Sequence, residues 1–268
     1  MRTKLNIVAP LFVPANRPER FRKAAVDADA VILDLEDAVP TSAKDAARDS
    51  LRSDFTDKPV FVRINAADTL WHGADIMAVS RLPFAAVVIP KVEDPSALVA
   101  IIGALGSATP VIVLIESACG LANARALSAV AGVQRIAFGS IDFCADLGCA
   151  HTREALLSAR TELVMASRLA GLLAPLDGVT TSIEDAALVT DDARYARELG
   201  FGGKLAIHPR QIEPIRRGFQ PDAAEISWAK RVLASGDGAA SVDGAMVDEP
   251  VRIRARAILA RSVETCGD

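Results

Sequence analysis

The chain is 268 residues long, 51% hydrophobic and 24% charged, with a formal net charge of −4. That length and apolar content suit one large α/β domain with a generous core and exclude a disordered chain. The slightly acidic balance gives no electrostatic footprint for nucleic acid or a membrane surface, and no apolar run approaches the roughly 18 residues that cross a bilayer.

The N-terminal MRTKLNIVAP moves straight into a strand pattern, with no signal-peptide cleavage site. Eight short apolar runs then follow: LNIVAPLFVP (5–14), AVILDLED (30–37), PVFVRIN (59–65), AAVVIPK (85–91), PVIVLIES (110–117), RIAFGSID (135–142), LLAPLDGV (172–179) and KLAIHP (204–209). Continuous β-branched runs mark parallel strands buried on both faces. Helical patterns separate them. RPERFRKAAVDA follows the first run and TSAKDAARDSLRSDF the second, with Thr41 or Ser42 placed as its N-cap. Asp94–Pro95 is a cap-plus-first-turn pair opening PSALVAIIGALG. GLANARALSAVAG, REALLSARTELVMASRLAG and SIEDAALVTDDARYARELG carry the alternation onward.

Such alternation means a parallel sheet. Eight repeats without a long linker predict closure into a TIM (β/α)8 barrel over residues 1–220. An open doubly wound sheet would carry a glycine-rich phosphate turn after its first strand. Here that turn is VPANRPER, with neither GxGxxG nor GxxxxGK[ST], which argues against a nicotinamide or nucleoside-triphosphate enzyme. PRQIEPIRRGF and PDAAEISWAKRVLAS read as helices, GDGAASVDGAM as a flexible linker, and DEPVRIRARAILARSVE as a terminal helix. Residues 221–268 are therefore expected to form a C-terminal helical extension, either a lid or an inter-subunit arm. Cys119, Cys144, Cys149 and Cys266 show no CxxC spacing and read as reduced thiols of a cytoplasmic protein.

In a barrel of this kind the chemistry sits at the carboxyl ends of the strands. Glu116 and Asp142 each close one of two consecutive runs, so they are expected side by side at the rim. Neighbouring carboxylates repel unless one is protonated or a cation lies between them. With three histidines in the chain, an imidazole-built zinc site is disfavoured. Two carboxylates with water and substrate oxygens suit Mg²⁺; the plainer alternative is that one caps a helix or pairs with an arginine.

Arg63 ends VFVRIN, and its fork matches a substrate carboxylate; the alternative is an ion pair with Glu36 or Asp37. In DLED, strand alternation sends Asp34 and Glu36 to one side, with Asp37 at the turn. These acids could hold metal-bound waters, orient Arg63 or cap the next helix. A Schiff-base role for Lys91 requires burial and a depressed pKa, so binding a carboxylate or phosphate is the favoured reading. His208 reads as a positioning residue. His72 and His151 carry no signal, and no serine has a His–Asp partnering pattern.

In this order, LFVPANRPERF, ILDLEDAV, VRIN, VVIPKVE, LIES, FGSIDF and KLAIHPRQI resemble the citrate lyase β-subunit-like proteins of the HpcH/HpaI aldolase superfamily, over nearly the whole chain. The resemblance implies a modified TIM barrel, trimeric or hexameric, that cleaves or forms C–C bonds in β-hydroxyacyl thioesters with Mg²⁺. It implies Glu116 and Asp142 as metal ligands, with Glu116 also at the substrate, and Arg63 as the residue binding the 2-oxoacid carboxylate. Glu36, Asp37 and Lys91 become supporting residues around them. GAMVDEP matches a C-terminal family segment whose aspartate reaches a neighbouring subunit's site as acid/base, which makes Asp248 the candidate, acting in its own subunit or in the neighbour's. Arg17, Arg20, Arg22 and Lys23 are candidates for coenzyme A phosphates or an ordinary solvated helix face. The expected activity is cleavage of malyl-CoA or citramalyl-CoA to acetyl-CoA and a 2-oxoacid. Rival readings are a citrate lyase β subunit acting on citryl-acyl carrier protein, and a class II aldolase of free 4-hydroxy-2-oxoacids, which the scarcity of histidine disfavours.

Overall fold

A computed structural model describes residues 5–106, 109–236, 238 and 240–263, so Cys266 lies outside the described residues. Eight parallel strands run in chain order around the sheet: β1 (Pro10–Pro14), β2 (Ala30–Asp34), β3 (Val60–Arg63), β4 (Ala86–Ile89), β5 (Val111–Ile115), β6 (Val133–Phe138), β7 (Leu176–Asp177) and β8 (Gly203–Lys204). The barrel closes just beyond β8, where Ala206 bridges Leu11 and its carbonyl accepts from Phe12 N at 2.9 Å. The strands are buried along almost their whole length and, apart from a few polar residues such as Asp34, Arg63 and Arg135, are apolar.

The helices between strands are α1 (Phe21–Asp27), α2 (Lys44–Asp49), α3 (His72–Val79), α4 (Pro95–Leu105), α5 (Ala118–Ala122), α6 (Ala124–Ser128), α7 (Ser140–Leu147), α8 (Arg153–Leu169) and α9 (Ala186–Leu199). Asp94 caps α4 through Ser96 N, as its sequence predicts. Neither Thr41 nor Ser42 caps α2: both lie in a 3-10 turn, Thr41–Ala43, that precedes it without a side-chain cap. The 3-10 turn begins after the extended Pro40 and puts Ala43 at the N-cap of α2, so both hydroxyls fall too early in the chain to cap it.

Inside the barrel, Ala30, Ile32, Phe61, Val88, Ile112, Leu114 and Ala137 form one buried cluster with Leu5 and Ile7. At its amino-terminal end Arg135 is fully buried, donating to the carbonyls of Leu5 (2.9 Å), Ile7 (2.7 Å) and Ala174 (2.7 Å). Burial lowers its pKa to about 9. This guanidinium pins the bottom of the barrel shut through backbone carbonyls.

The described residues divide into two compact units at Arg217 and Gly218, within α10 (Ile212–Phe219). The second unit holds α11 (Ala223–Ala234), β9 (Ala240–Val242), β10 (Ala245–Val247) and α12 (Glu249–Val263). Ala229, Val232, Val247, Ala255 and Ile258 are its own core. Within the segment expected to be a flexible linker, residues from 240 onward form an antiparallel hairpin with β10. Asp243 (φ 53) and Gly244 (φ 79) form its left-handed two-residue turn, so the Asp-Gly pair acts as a hairpin signal rather than a linker one. Among the described residues no helix is long and apolar enough to cross a membrane.

Candidate active site

The inward alternation of the core strands does not stop at the rim. Ala30 and Ile32 lead to Asp34, Phe61 leads to Arg63, and Ile112 and Leu114 lead to Glu116. Asp34 and Arg63 are register partners on β2 and β3. Arg63 Nε and Nη2 donate to the two Asp34 oxygens, each at 2.7 Å, in a bidentate pair. The remaining edge, Nη1, lies 2.9 Å from Glu36 Oε2 and 3.4 Å from Asp37 Oδ2. The Phe12 ring packs 4.8 Å from the guanidinium carbon. Burial alone would raise the Asp34 pKa, but attraction to Arg63 outweighs it and holds the carboxyl below its ordinary value. Arg63 is thus fixed by an acid inside the barrel, and its outer edge faces the DLED turn.

Glu36 is buried behind that edge. Burial pushes its pKa up to about 7, against the pull of Arg63 and with Asp37 adding repulsion. Lys91 Nζ sits 3.3 Å from Glu36 Oε1. The Lys91 backbone takes a left-handed conformation (φ 51), uncommon for a residue with a side chain. Its N–H thereby turns to Glu116 and donates to Oε1 at 2.7 Å. The Lys91 side chain is 47% exposed, and although burial works to lower its pKa, Glu36 and Asp37 raise it overall. Neither condition for a Schiff-base lysine is met.

Glu116 is raised further, to about 8, first by burial and then by the charge on Glu36, with Asp142 contributing in the same direction. Its second oxygen, Oε2, is buried with no hydrogen-bond partner. Gly139 makes room for this carboxylate, since a Cβ there would stand 2.5 Å from both the Glu116 Cβ and Oε2. Asp142 does not close β6 as its run suggested. The strand ends at Phe138, Gly139 turns the chain, and Asp142 lies in the first turn of α7, half-buried. That position is favourable for a carboxylate facing the positive end of a helix.

Among the described residues no group of three or more His, Cys, Asp or Glu side chains converges as a ready-made metal cage. Mg²⁺ does not require one, because it keeps several waters and takes one or two carboxylates. An orphaned buried oxygen on Glu116, its raised proton affinity and a neighbouring acid in Asp142 are the features a hard dication would relieve. The residues present fit the ion.

Other residues have structural partners. His208 accepts from Arg210 N at 3.2 Å and caps the turn Pro209–Gln211. His151 Nε2 lies 2.9 Å from Ser140 Oγ at the start of α7, and His72 Nδ1 lies 2.8 Å from the Asn65 carbonyl. Arg17 pairs with Glu19 at 2.8 Å on the surface. Asp248 stands in the second unit, directly after β10. Its Oδ1 accepts from Val251 N at 3.3 Å and caps α12. Two buried groups lie outside the roles assigned from the sequence. Asp177 is held by Arg160 (2.8 Å) and Lys204 (2.9 Å), and Lys44 lies beneath the DLED turn. The strand-end lysine and aspartate at 204 and 177 were a visible signal for the first; nothing local marks Lys44.

Residues 9–209 match the family model of HpcH/HpaI aldolase/citrate lyase. The chain belongs to this family. Across it, the chain is 36% identical over 269 residues to a citrate lyase subunit beta-like protein of Mycobacterium tuberculosis, covering 96% of each. It is 32% identical over 266 residues to a (3S)-malyl-CoA thioesterase of Cereibacter sphaeroides, covering 94% of this chain and 93% of that one. In structure it is similar to CitE of M. tuberculosis solved with magnesium, acetoacetate and coenzyme A. The TM-score is 0.88 at 35% identity, covering 97% of this chain and 99% of that chain. The family model lies within the first compact unit, whereas the matches to these relatives reach into the second as well.

Proposed function

We propose that this protein is a Mg²⁺-dependent carbon–carbon lyase. It cleaves, reversibly, a β-hydroxyacyl-CoA such as malyl-CoA or citramalyl-CoA into acetyl-CoA and a 2-oxoacid. The observation that carries the reading is the pairing of a locked cation with an unsatisfied acid. Arg63 is fixed by Asp34 with its remaining edge turned to Glu36 and Asp37, and Glu116 keeps a buried oxygen without a hydrogen-bond partner. The M. tuberculosis relative bound to magnesium, acetoacetate and coenzyme A supports the class of ligand.

On this reading Glu116 and Asp142 hold the ion, and Arg63 binds the carboxylate of the 2-oxoacid half. Mg²⁺, when bound, supplies stabilisation of the negative charge that develops on the substrate hydroxyl oxygen. Arg63 orients the acid end so that the breaking bond stays aligned; because Asp34 holds the guanidinium in advance, little freedom is lost on binding. Glu36, Asp37 and Lys91 keep the pocket's charge in balance around it. As the bond breaks, the hydroxyl proton passes to water, and the C–C electron pair stays with the thioester as its enolate while the oxoacid carbonyl forms. Asp248 in its protonated form delivers a proton to the thioester α-carbon and regains one from water. In the synthetic direction Asp248 removes that proton. The enzyme works as a homo-oligomer, a trimer or hexamer, in the cytoplasm.

The test is a panel of malyl-, citramalyl- and citryl-CoA with Mg²⁺. Acetyl-CoA and a 2-oxoacid in equal amounts are expected from at least one. Free CoA with an intact hydroxyacid would instead identify thioester hydrolysis, the activity named for the C. sphaeroides relative. No turnover on any CoA ester, with turnover on citryl-acyl carrier protein, would assign the chain to the citrate lyase complex.

A further inference from the structure

Beneath the DLED turn, on α2, lies a buried ammonium that the chemistry above does not use. Lys44 Nζ donates to the carbonyls of Leu35 and Glu36 and to Asn65 Oδ1, each at 2.7 Å. An ammonium has three protons and no acceptor, so these contacts saturate it, and none of the acceptors is a carboxylate. The Trp71 ring lies 5.3 Å from the nitrogen. Beyond it, Asn65 is gripped in turn. Its N and Nδ2 both donate to Asp75 Oδ2, at 2.9 and 2.6 Å, and Arg48 Nε donates to Asp75 Oδ1 at 2.9 Å. Asp75 is fully buried.

The two ends of this chain of contacts are the two loops that carry the candidate site. Leu35 and Glu36 follow β2, and Asn65 stands two residues after Arg63 at the end of β3. The side chain of Glu36 meets Arg63 at 2.9 Å and Lys91 at 3.3 Å, but both its oxygens lack an aligned hydrogen bond. The backbone of Glu36 sets where those ion pairs can form. Lys44 holds that backbone from one side, and Asp34 holds it from the other through Glu36 N (2.9 Å) and Ala38 N (3.1 Å).

We propose that Lys44 is a positioning residue for the catalytic pocket, setting the distance between Glu36 and Arg63 by tying the β2 and β3 loops together through Asn65 and Asp75. The proposal rests on the lyase reading for its kinetic consequence, but not for its structural one. The three Lys44 Nζ hydrogen bonds go to Leu35, Glu36 and Asn65, none of them a candidate metal ligand. Its loss changes where Glu36 stands, and placement errors of an ångström far from the chemistry can cost turnover by about a hundredfold.

The experiment is Lys44→Met, close in length but without charge or donors, studied by amide hydrogen exchange and by steady-state kinetics. Exchange at Glu36 and Ala38 is expected to accelerate at least about tenfold while the barrel strands keep wild-type protection. With malyl- or citramalyl-CoA, kcat is expected to fall about tenfold or more per folded enzyme, with KM within about threefold. Wild-type exchange at the turn would overturn the proposal, as would wild-type kcat in folded variant. If wild-type enzyme turns over no CoA ester, the lyase reading fails and the exchange result alone decides the positioning role. Should Lys44→Met not fold, Asn65→Ala, which releases one of the three ammonium contacts, takes its place. Its expected loss in kcat is about threefold, with faster exchange at Glu36, and unchanged exchange there overturns the proposal.

Discussion

Asp34 and Arg63 meet as register partners on neighbouring strands, joined by two hydrogen bonds of 2.7 Å inside the barrel mouth. The pair is buried on both sides, so its worth lies in what remains when it is broken. Asp34→Ala leaves a guanidinium out of water with only Glu36 and Asp37 at its far edge. Removing one partner of a buried pair costs about 3–5 kcal/mol. Urea unfolding should show that loss, and a change under about 1 kcal/mol would mean that Arg63 finds full compensation from the neighbouring acids.

The pH dependence of stability follows from Glu36 and Glu116. Their carboxyls are raised by burial from 4.5 to about 7 and about 8. A carboxyl raised on folding stabilises the native state below its unfolded value, and that contribution disappears as pH climbs through the folded value. Metal-free protein should therefore lose stability between about pH 4.5 and 8. His151, lowered mainly by burial, works in the opposite sense as pH rises through the region below 6.5. Subtracting Glu116→Gln from wild type isolates the Glu116 part, and parallel Tm–pH curves for the two would contradict the raised pKa.

Mg²⁺ should remove that penalty. At one hundred times its Kd a ligand specific to the native state adds about 2.7 kcal/mol. Thermal unfolding at pH 8 is the place to look, with Glu116→Gln expected to abolish the shift. Gly139→Ala probes the same carboxylate from outside. Its methyl would have to displace Glu116 from contacts of 2.5 Å, costing about 1–3 kcal/mol in overpacking and weakening Mg²⁺ in calorimetry. Unaltered Mg²⁺ affinity in Gly139→Ala would remove Glu116 from the ligand set.

Asp248 combines a helix cap with its proposed proton transfer, and two substitutions separate them. Asparagine caps as well as aspartate, so Asp248→Asn should keep the wild-type Tm yet lose turnover by about 10²–10⁴. Asp248→Ala should show the same kinetic loss and about 0.5–2 kcal/mol of destabilisation besides. A fully active Asp248→Asn enzyme would leave the residue with the cap alone.

The strand order, the parallel sheet and the inward sequence of Asp34, Arg63 and Glu116 were legible because they depend on local periodicity. A run that alternates about the barrel wall carries its last inward position to the rim whatever surrounds it. Motif order likewise named the family before any geometry was at hand. The Asp-Gly hairpin was also legible in principle, yet small residues on either side of it read as a linker.

Sequence by itself determined which acids and which arginine reach the mouth of this barrel. Only the tertiary structure decided what they do to one another. Arg63 belongs first to Asp34 rather than to Glu36 or Asp37, Asp142 enters from a helix rather than a strand, and Lys91 turns its amide to Glu116 through a left-handed backbone. Lys44 was silent because its partners lie 8, 9 and 21 residues away and two of them are carbonyls, which leave no trace in residue type. Proton affinity is settled at the same level: burial and charges brought together across strands raise Glu36 and Glu116, and no local pattern encodes those distances.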